Sequence, residues 1–128
     1  MRLVLVRHAH SDPGQPDELR PLSSRGREEA RALGERLASA APDAVVASPL
    51  LRARETAAAI AKAANVEVRV DERLAPGATA DDLLAAIDGA GGTVVTVGHQ
   101  PDCSEIALTL AGHDPGFPTA GVLELELS

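Results

Sequence analysis

Residues 7–10 of this chain bring together side chains that can do chemistry. The apolar run at 3–6 (LVLV) leads directly into Arg7 and His8, and His10 follows after one alanine. Such side chains cost free energy when they lose contact with water. Their position at the end of a buried-looking strand therefore indicates a ligand that compensates for that cost.

A third histidine and two further arginines occupy similar positions after other predicted strands. His99 follows the apolar run at 93–97 (TVVTV), and Arg52 and Arg54 come shortly after the strand that ends near Ser48. Ligands of open α/β sheets bind beyond the carboxyl ends of the strands. We therefore expect these side chains to meet, in one site, those that follow the first strand.

Two imidazoles and several guanidiniums suit a phosphoryl group. Guanidinium binds phosphate oxygens through paired hydrogen bonds and stays charged, and a neutral imidazole can attack phosphorus through its lone pair. Neighbouring arginines favour the neutral imidazole and offset the charge on the equatorial oxygens. No metal ion is needed for that neutralisation, and a phosphate or sulfate anion is the expected occupant of the pocket.

The elements that must position these groups alternate between strand and helix. The patterns predict strands at 3–6, 43–49, 66–70, 93–97 and 122–127, and helices at about 25–40, 50–65, 80–88 and 102–112. This alternation predicts a mainly parallel sheet with helices on both faces, a three-layer α/β/α architecture. The length of 128 residues is near the commonest domain size, so we expect residues 1–128 to form a single domain.

The order of the strands decides which candidate side chains meet. We expect the order 3-2-1-4-5, with the C-terminal strand antiparallel at the edge because no helix precedes it. Strands one and four are then neighbours, and His8 faces His99 across the crevice between them.

Polar residues at the predicted helix ends match known capping patterns. Ser23 or Ser24 is expected to cap the first helix, Asn65 to end the second and Thr79 to cap the third. Their presence supports the helix boundaries that the apolar periodicity predicts.

Other polar residues are assigned structural or surface roles. Asp102 with Glu105 matches a capping box at the start of the fourth helix. Arg20 is expected either to hold the loop before the first helix or to contact a substrate protein, with the structural role favoured. Ser48 is expected to support the end of the second strand, and His113 to lie in a solvated loop.

Composition excludes several classes of function. The formal charge of −7, with one Phe and no Trp or Tyr, disfavours nucleic-acid binding, because phosphate backbones are repelled and bases find no aromatic ring to stack on. No signal-peptide pattern and no apolar stretch of about 18 residues is present. We therefore expect a soluble cytoplasmic protein with no membrane partner.

Two rival chemistries lack the residues that they need. Cys103 is the single cysteine, and SEIALT follows it without the arginine of a cysteine-dependent phosphatase. We therefore expect a packed thiol, no internal disulfide and a reducing compartment. The histidines lack zinc-ligand spacing such as H-x-x-x-H, so we expect neither a metal ion nor another cofactor.

Four segments together resemble a known family. They are RHAHS at 7–11, RPLSSRG at 20–26, SPLLRARETA at 48–57 and VGHQP at 97–101, in that order. They resemble the histidine phosphatase superfamily, also called the phosphoglycerate-mutase-like fold, over nearly the whole chain. Within it, the short length and the segment RPLS-x-RG are most similar to the SixA-type phosphohistidine phosphatases.

The resemblance implies roles for four side chains. His8 matches the family's nucleophile, which becomes a phosphohistidine, and His99 matches the second histidine of the pocket. Arg7 and Arg52 match the arginines that clamp the phosphate. Arg52, and not Arg54, stands in the family's pattern R-A-x-x-T.

The proton donor is the point at which this chain departs from larger members of the family. Those members carry an acidic donor in an insertion after the third strand, where this chain has only DERLAPG at 71–77. Glu72 or Asp71 could serve as that acid. The resemblance to SixA-type members implies instead that no acid is needed, since imidazole is a better leaving group than an alkoxide. His10 is expected either at the rim of the pocket or in a solvated loop.

Three functions are compatible with these residues. The first is a metal-independent phosphatase that forms a covalent phosphohistidine at His8 and dephosphorylates phosphohistidine on a protein. The absent insertion favours it, because an uncovered site admits a phosphorylated side chain. The second is the same chemistry on a small phosphate monoester of a sugar or nucleotide. The third is a catalytically weak module that binds phosphate or phosphohistidine.

Overall fold

Five strands and four helices alternate along the chain in the structure, a computed structural model that describes all 128 residues. The strands are β1 Arg2–Arg7, β2 Ala44–Ala47, β3 Val68–Val70, β4 Thr93–Gly98 and β5 Val122–Glu126. The helices are α1 Ser24–Ala38, α2 Leu51–Ala64, α3 Ala80–Ile87 and α4 Asp102–Ala111. Two 3-10 turns, Asp17–Leu19 and Glu72–Leu74, lie in connecting segments.

Three helix ends follow the predicted caps. The Ser23 hydroxyl precedes α1 and accepts a hydrogen bond from the Gly26 amide at 3.0 Å. Asn65 ends α2 in the left-handed conformation, with φ at 58°. Thr79 and Asp82 form a reciprocal capping box at the start of α3. These predictions are confirmed. Each cap involves residues only a few positions apart, so the sequence contains the whole pattern.

The capping prediction for Asp102 is wrong. α4 begins at Asp102, but Pro101 holds the N-cap position and makes no side-chain cap. The buried Asp102 carboxylate accepts hydrogen bonds instead from the backbone amides of Gly77 and Ala78, at 2.9 and 3.1 Å. The carboxylate therefore ties the segment after β3 to α4, a tertiary contact that a local pattern does not contain.

The five strands form one sheet in the order β3-β2-β4-β1-β5. The predicted order, 3-2-1-4-5, is wrong because β4, and not β1, lies beside β2. Both strands are buried on both faces, so hydrophobicity does not indicate which of them lies beside β2. The connection from β1 to β2 crosses over one strand position in the sheet, and β4 occupies that position. β1 and β4 are still neighbours, and β5 is an antiparallel edge strand, as predicted. It pairs with β1, however, and not with β4 as the predicted order required.

Parallel pairing of β1 with β4 places the two candidate histidines side by side. The register ends by pairing Arg7 with Gly98. The ladder continues into the next residue, where the His8 amide donates to the Gly98 carbonyl at 3.0 Å. His8 and His99 therefore leave adjacent strands at the same level of the sheet.

Alternate strand residues point to opposite sides of the sheet and form two apolar cores. One core joins the sheet to α1 and α2 and includes Val4, Val6, Val45, Leu33 and Ile60. The other joins it to α3 and α4 and includes Leu3, Leu5, Val46, Leu83, Cys103 and Ile106. Aliphatic side chains dominate both cores, and Phe117 is the one aromatic residue among them. None of the helices is long and apolar enough to cross a lipid bilayer.

Gly26 is required where α1 passes close to the segment that follows β1. A β-carbon at this position would lie 1.8 Å from the carbonyl oxygen of His10. The helix or the segment would have to move to accommodate it, since both partners are backbone.

Replacing Gly26 with alanine is expected to lower the free energy of unfolding by about 2 kcal/mol, because the clash outweighs the ~1 kcal/mol by which alanine favours a helix. Urea denaturation measures the change. Gly92→Ala is the matched control, since its β-carbon would meet only Asp43 Oδ2 at 3.6 Å. A Gly26→Ala protein as stable as the wild type would contradict this packing.

Candidate active site

A cavity of about 430 Å³ lies at the carboxyl ends of β1, β2 and β4. Its lining consists almost entirely of polar side chains. The residues are Arg7, His8, His10, Ser11, Asp17, Arg20, Arg52, Pro76, His99, Gln100 and Thr119. The four residues that the family resemblance identifies therefore lie together in one cavity, and His10 lies there with them.

Hydrogen bonding sets the tautomer of His8. Its Nδ1 lies 2.7 Å from the Ala9 carbonyl oxygen, which can only accept, so Nδ1 carries the proton and donates. The Ala9 amide in turn donates to Thr56 Oγ1 at 3.0 Å, and that hydroxyl donates to the Arg52 carbonyl at 2.8 Å. α2 therefore holds the backbone beside His8, and Nε2 of the ring keeps a free lone pair.

His99 is oriented by the residue that follows β2. Its Nε2 lies 2.7 Å from Ser48 Oγ, which also accepts from the Leu50 amide at 3.3 Å. Because the Ser48 hydroxyl donates to no other group, we assign its hydrogen to Nε2, which puts the ring proton on Nδ1. Nδ1 is buried and has no partner in the protein. The ring centroids of His8 and His99 are 5.3 Å apart.

Burial and positive neighbours keep both imidazoles neutral. The pKa of His8 is lowered to about 4, chiefly by burial and then by the charges of Arg52 and Arg7. The pKa of His99 is lowered to about 3, again chiefly by burial, with contributions from His8 and Arg52. Both rings are uncharged near neutral pH, so His8 can act as a nucleophile through Nε2.

Three arginines surround the imidazoles. Arg7 Nη1 donates to the Phe117 carbonyl at 2.9 Å, whereas Arg7 Nε is buried without a partner. Arg52 lies on the first turn of α2 and is 8% exposed. Arg20 holds its own loop, as expected, by donating to Ser11 Oγ at 2.9 Å, and it also lines the cavity. Three guanidiniums beside two neutral imidazoles suit a tetrahedral dianion.

His10 lies at the edge of this group. Its Nδ1 is 2.6 Å from Ser23 Oγ, and its amide donates to Glu29 Oε1 at 2.8 Å. The side chain and the backbone are therefore both held to α1. This is the location at the rim of the pocket, the first of the two predicted alternatives.

Three other candidates are not brought to the cavity. Glu72 is exposed on its 3-10 turn, and Asp71 accepts from Arg73 Nη2 at 2.8 Å. Arg54 donates to the Pro49 carbonyl at 2.9 Å. The segment after β3 therefore places no carboxylate in the cavity. No three His, Cys, Asp or Glu side chains are grouped so that they could hold a metal ion.

Asp17 is a cavity residue that the sequence analysis missed. Its carboxylate accepts hydrogen bonds from Arg20 Nη1 at 3.0 Å and from Arg52 Nη2 at 3.2 Å. The short spacing in D-E-L-R was a local signal for the first of these pairs. The second joins residues 35 positions apart, and only the folded chain brings them together.

Stability should fall as the pH is lowered from about 6.5 towards 5. Because the pKa values of His8 and His99 lie near 4 and 3 when folded and near 6.5 when unfolded, the unfolded chain binds more protons in this range. Each histidine then costs up to ~1.4 kcal/mol for every pH unit. Urea denaturation at several pH values measures the slope.

His8→Asn should reduce this slope, because one of the two buried imidazoles is removed. His113→Asn is the control, since His113 is exposed, and it should leave the slope unchanged. An identical pH dependence of His8→Asn and the wild type would show that burial of His8 does not control its protonation.

Comparisons with known proteins agree with this geometry. The sequence model of the histidine phosphatase superfamily (branch 1) matches residues 3–76. The uncharacterized protein Rv1276c of Mycobacterium tuberculosis (strain ATCC 25618 / H37Rv) is 35% identical over 141 aligned positions, which cover 96% of this chain and 87% of that protein.

Solved structures show the same fold. SixA of Agrobacterium tumefaciens, named as a phosphohistidine phosphatase, superposes with a TM-score of 0.84 at 27% identity, over 98% of this chain and 90% of that chain. The protein histidine phosphatase SixA in complex with tungstate superposes with a TM-score of 0.87 at 23% identity, over 99% and 88%. The chain therefore belongs to branch 1 of the histidine phosphatase superfamily and is SixA-like, which supports phosphatase activity.

Proposed function

We propose that this protein removes the phosphoryl group from phosphohistidine on another protein, through a covalent phosphohistidine at His8. The observation that carries the proposal is the state of the two imidazoles. His8 presents a free Nε2 lone pair because its Nδ1 proton is held by Ala9, and His99 Nδ1 is a buried donor without a partner in the protein. A nucleophile beside unpaired donors suits attack on a bound phosphoryl group.

The reaction proceeds in two displacements at phosphorus. In the first, His8 Nε2 forms a bond to phosphorus while the bond to the leaving group breaks, and the electron pair goes to the leaving atom. In the second, a water oxygen forms the bond to phosphorus, one water proton passes to a phosphate oxygen, and the P–N bond returns its electron pair to Nε2. Arg7, Arg52 and His99 Nδ1 stabilise the charge on the equatorial oxygens in both steps. The guanidiniums supply the positive charge, so neither step uses a metal ion.

The access to the site favours a phosphorylated side chain on a protein. Only residues 71–79 connect β3 to α3, and Pro76 is the one residue of that segment that lines the cavity. No inserted element covers the cavity from this side. A histidine side chain projecting from a protein surface can therefore reach His8. The tungstate bound by SixA supports a tetrahedral oxyanion as the group recognised.

A small phosphate monoester is the second candidate substrate. The polar lining and the volume of about 430 Å³ suit a sugar phosphate, whose hydroxyl groups need hydrogen-bond partners. The chemistry at His8 would be the same, and only the leaving group would differ.

Substitution of His8 by asparagine should lower the turnover of any phosphate substrate by about a thousandfold or more, because the nucleophile is lost. An asparagine amide can still donate towards Ala9. Wild-type protein quenched during turnover of labelled substrate should carry an acid-labile, base-stable phosphate, and His8→Asn should carry none. His113→Asn should behave like the wild type. Retained turnover in His8→Asn would refute the covalent mechanism.

A panel of substrates should separate the candidates. We expect a phosphorylated histidine-carrier protein to be turned over with a kcat/KM at least about tenfold above that of glycerol 3-phosphate or a nucleotide monophosphate. A higher kcat/KM for an ester would identify the small-ester function. Binding of the carrier protein without turnover, and without labelled enzyme, would identify the protein as a binding module.

A further inference from the structure

Asp17 is the one carboxylate among the residues that line the cavity. The hydrogen bonds from Arg20 and Arg52 hold its pKa below the usual range, so it is ionised at neutral pH. The cavity therefore combines three guanidiniums, the neutral imidazoles of His8 and His99, the imidazole of His10 at its rim, and one fixed negative charge. The reaction proposed above does not use that negative charge.

Asp17 is held firmly in its place. Its backbone carbonyl accepts from Arg52 Nη1 at 3.0 Å, and its Oδ2 accepts from Arg52 Nη2 at 3.2 Å. Its Oδ1 accepts from Arg20, which is anchored in turn by the Asp12 carbonyl at 2.8 Å. Two guanidiniums therefore fix both carboxylate oxygens, so the charge cannot swing away from the cavity.

Asp17 lies on the side of the cavity from which a substrate enters. Its side chain is 56% exposed, whereas that of its partner Arg52 is 9% exposed. His8 also lines the cavity, but it is buried, with 8% of its surface exposed. In an in-line displacement the leaving group lies opposite the attacking atom. A leaving group displaced by His8 therefore points towards the mouth, where the Asp17 carboxylate is.

We propose that Asp17 accepts a hydrogen bond from the distal ring N–H of a leaving imidazole and thereby selects phosphohistidine over phosphate esters. This inference rests on the proposed phosphohistidine phosphatase function and names the residue that sets its specificity. The ion pair between Arg52 and Asp17 places this carboxylate next to a guanidinium that we propose binds the phosphoryl group.

The step balances without a proton donor. His8 Nε2 forms a bond to phosphorus, the P–N bond of the substrate breaks, and its electron pair stays on the leaving nitrogen. The substrate ring, protonated on its distal nitrogen and bonded there to Asp17, enters as a cation and leaves as neutral imidazole. An alkoxide would need a proton that ionised Asp17 does not carry. A second anionic group on an ester would be repelled by the same charge.

The test is Asp17→Asn, which removes the charge and keeps the size of the side chain and the backbone carbonyl. Asp12→Asn is the matched control, because Asp12 is an exposed carboxylate of the same loop that does not line the cavity. The substrates are free phosphohistidine, glycerol 3-phosphate and 3-phosphoglycerate. The two esters differ by one carboxylate.

Asp17→Asn should lower kcat/KM for phosphohistidine about tenfold, the effect of losing one charge-assisted hydrogen bond. It should raise the ratio of kcat/KM for 3-phosphoglycerate over that for glycerol 3-phosphate about tenfold. Asp12→Asn should change neither value. Inorganic phosphate should bind Asp17→Asn at least as tightly as the wild type, because Arg52 is freed.

Several outcomes would overturn the proposal, and they are distinguishable. If the wild type is active on phosphohistidine and Asp17→Asn discriminates between the substrates as the wild type does, the proposed role of Asp17 is wrong but the proposed function stands. Weaker phosphate binding by Asp17→Asn means that Asp17 only orients Arg52, which also removes the role. A wild type that hydrolyses the esters but not phosphohistidine overturns both the proposed function and this inference.

Discussion

The parallel pairing of β1 with β4 is the constraint on which the site depends. Their register brings Arg7 level with Gly98, and the next residue on each strand is a histidine. A shift of one residue would turn the alternating side chains to the wrong faces and bury polar groups in the two cores. The covered strands are therefore hard to displace. The 5.3 Å separation of the two rings follows from this pairing.

The electrostatic balance around the two imidazoles is the second requirement of the site. Burying two imidazoles beside guanidiniums keeps them uncharged, which is the state in which one can attack and the other can donate. The guanidiniums are stabilised by backbone carbonyls and by the carboxylate of Asp17. A dianionic phosphoryl group would then meet a cavity with an excess of positive charge, although the chain as a whole carries a formal charge of −7.

Local patterns predicted most of the elements and the core members of the site. Apolar runs ending in Arg7-His8 and His99 indicated strands and a ligand, and the caps at Ser23, Asn65 and Thr79 were correct. Asp102 was misassigned because its carboxylate binds amides 24 and 25 positions away. A capping pattern describes residues that are close in the chain, whereas this carboxylate accepts hydrogen bonds from amides that are close only in the folded structure.

The types of the reactive groups, and the fact that each follows a strand, could be read from the sequence, since hydrophobic periodicity and turn residues act over short distances. Which of these groups are in contact depends on the three-dimensional fold. With β4 beside β2, Ser48 meets His99, whereas the predicted order would have placed Ser48 beside His8. Asp17 likewise reaches Arg52 only when its loop folds over α2. Strand order and loop placement depend on how the helices pack on the sheet, and that packing involves the whole chain at once.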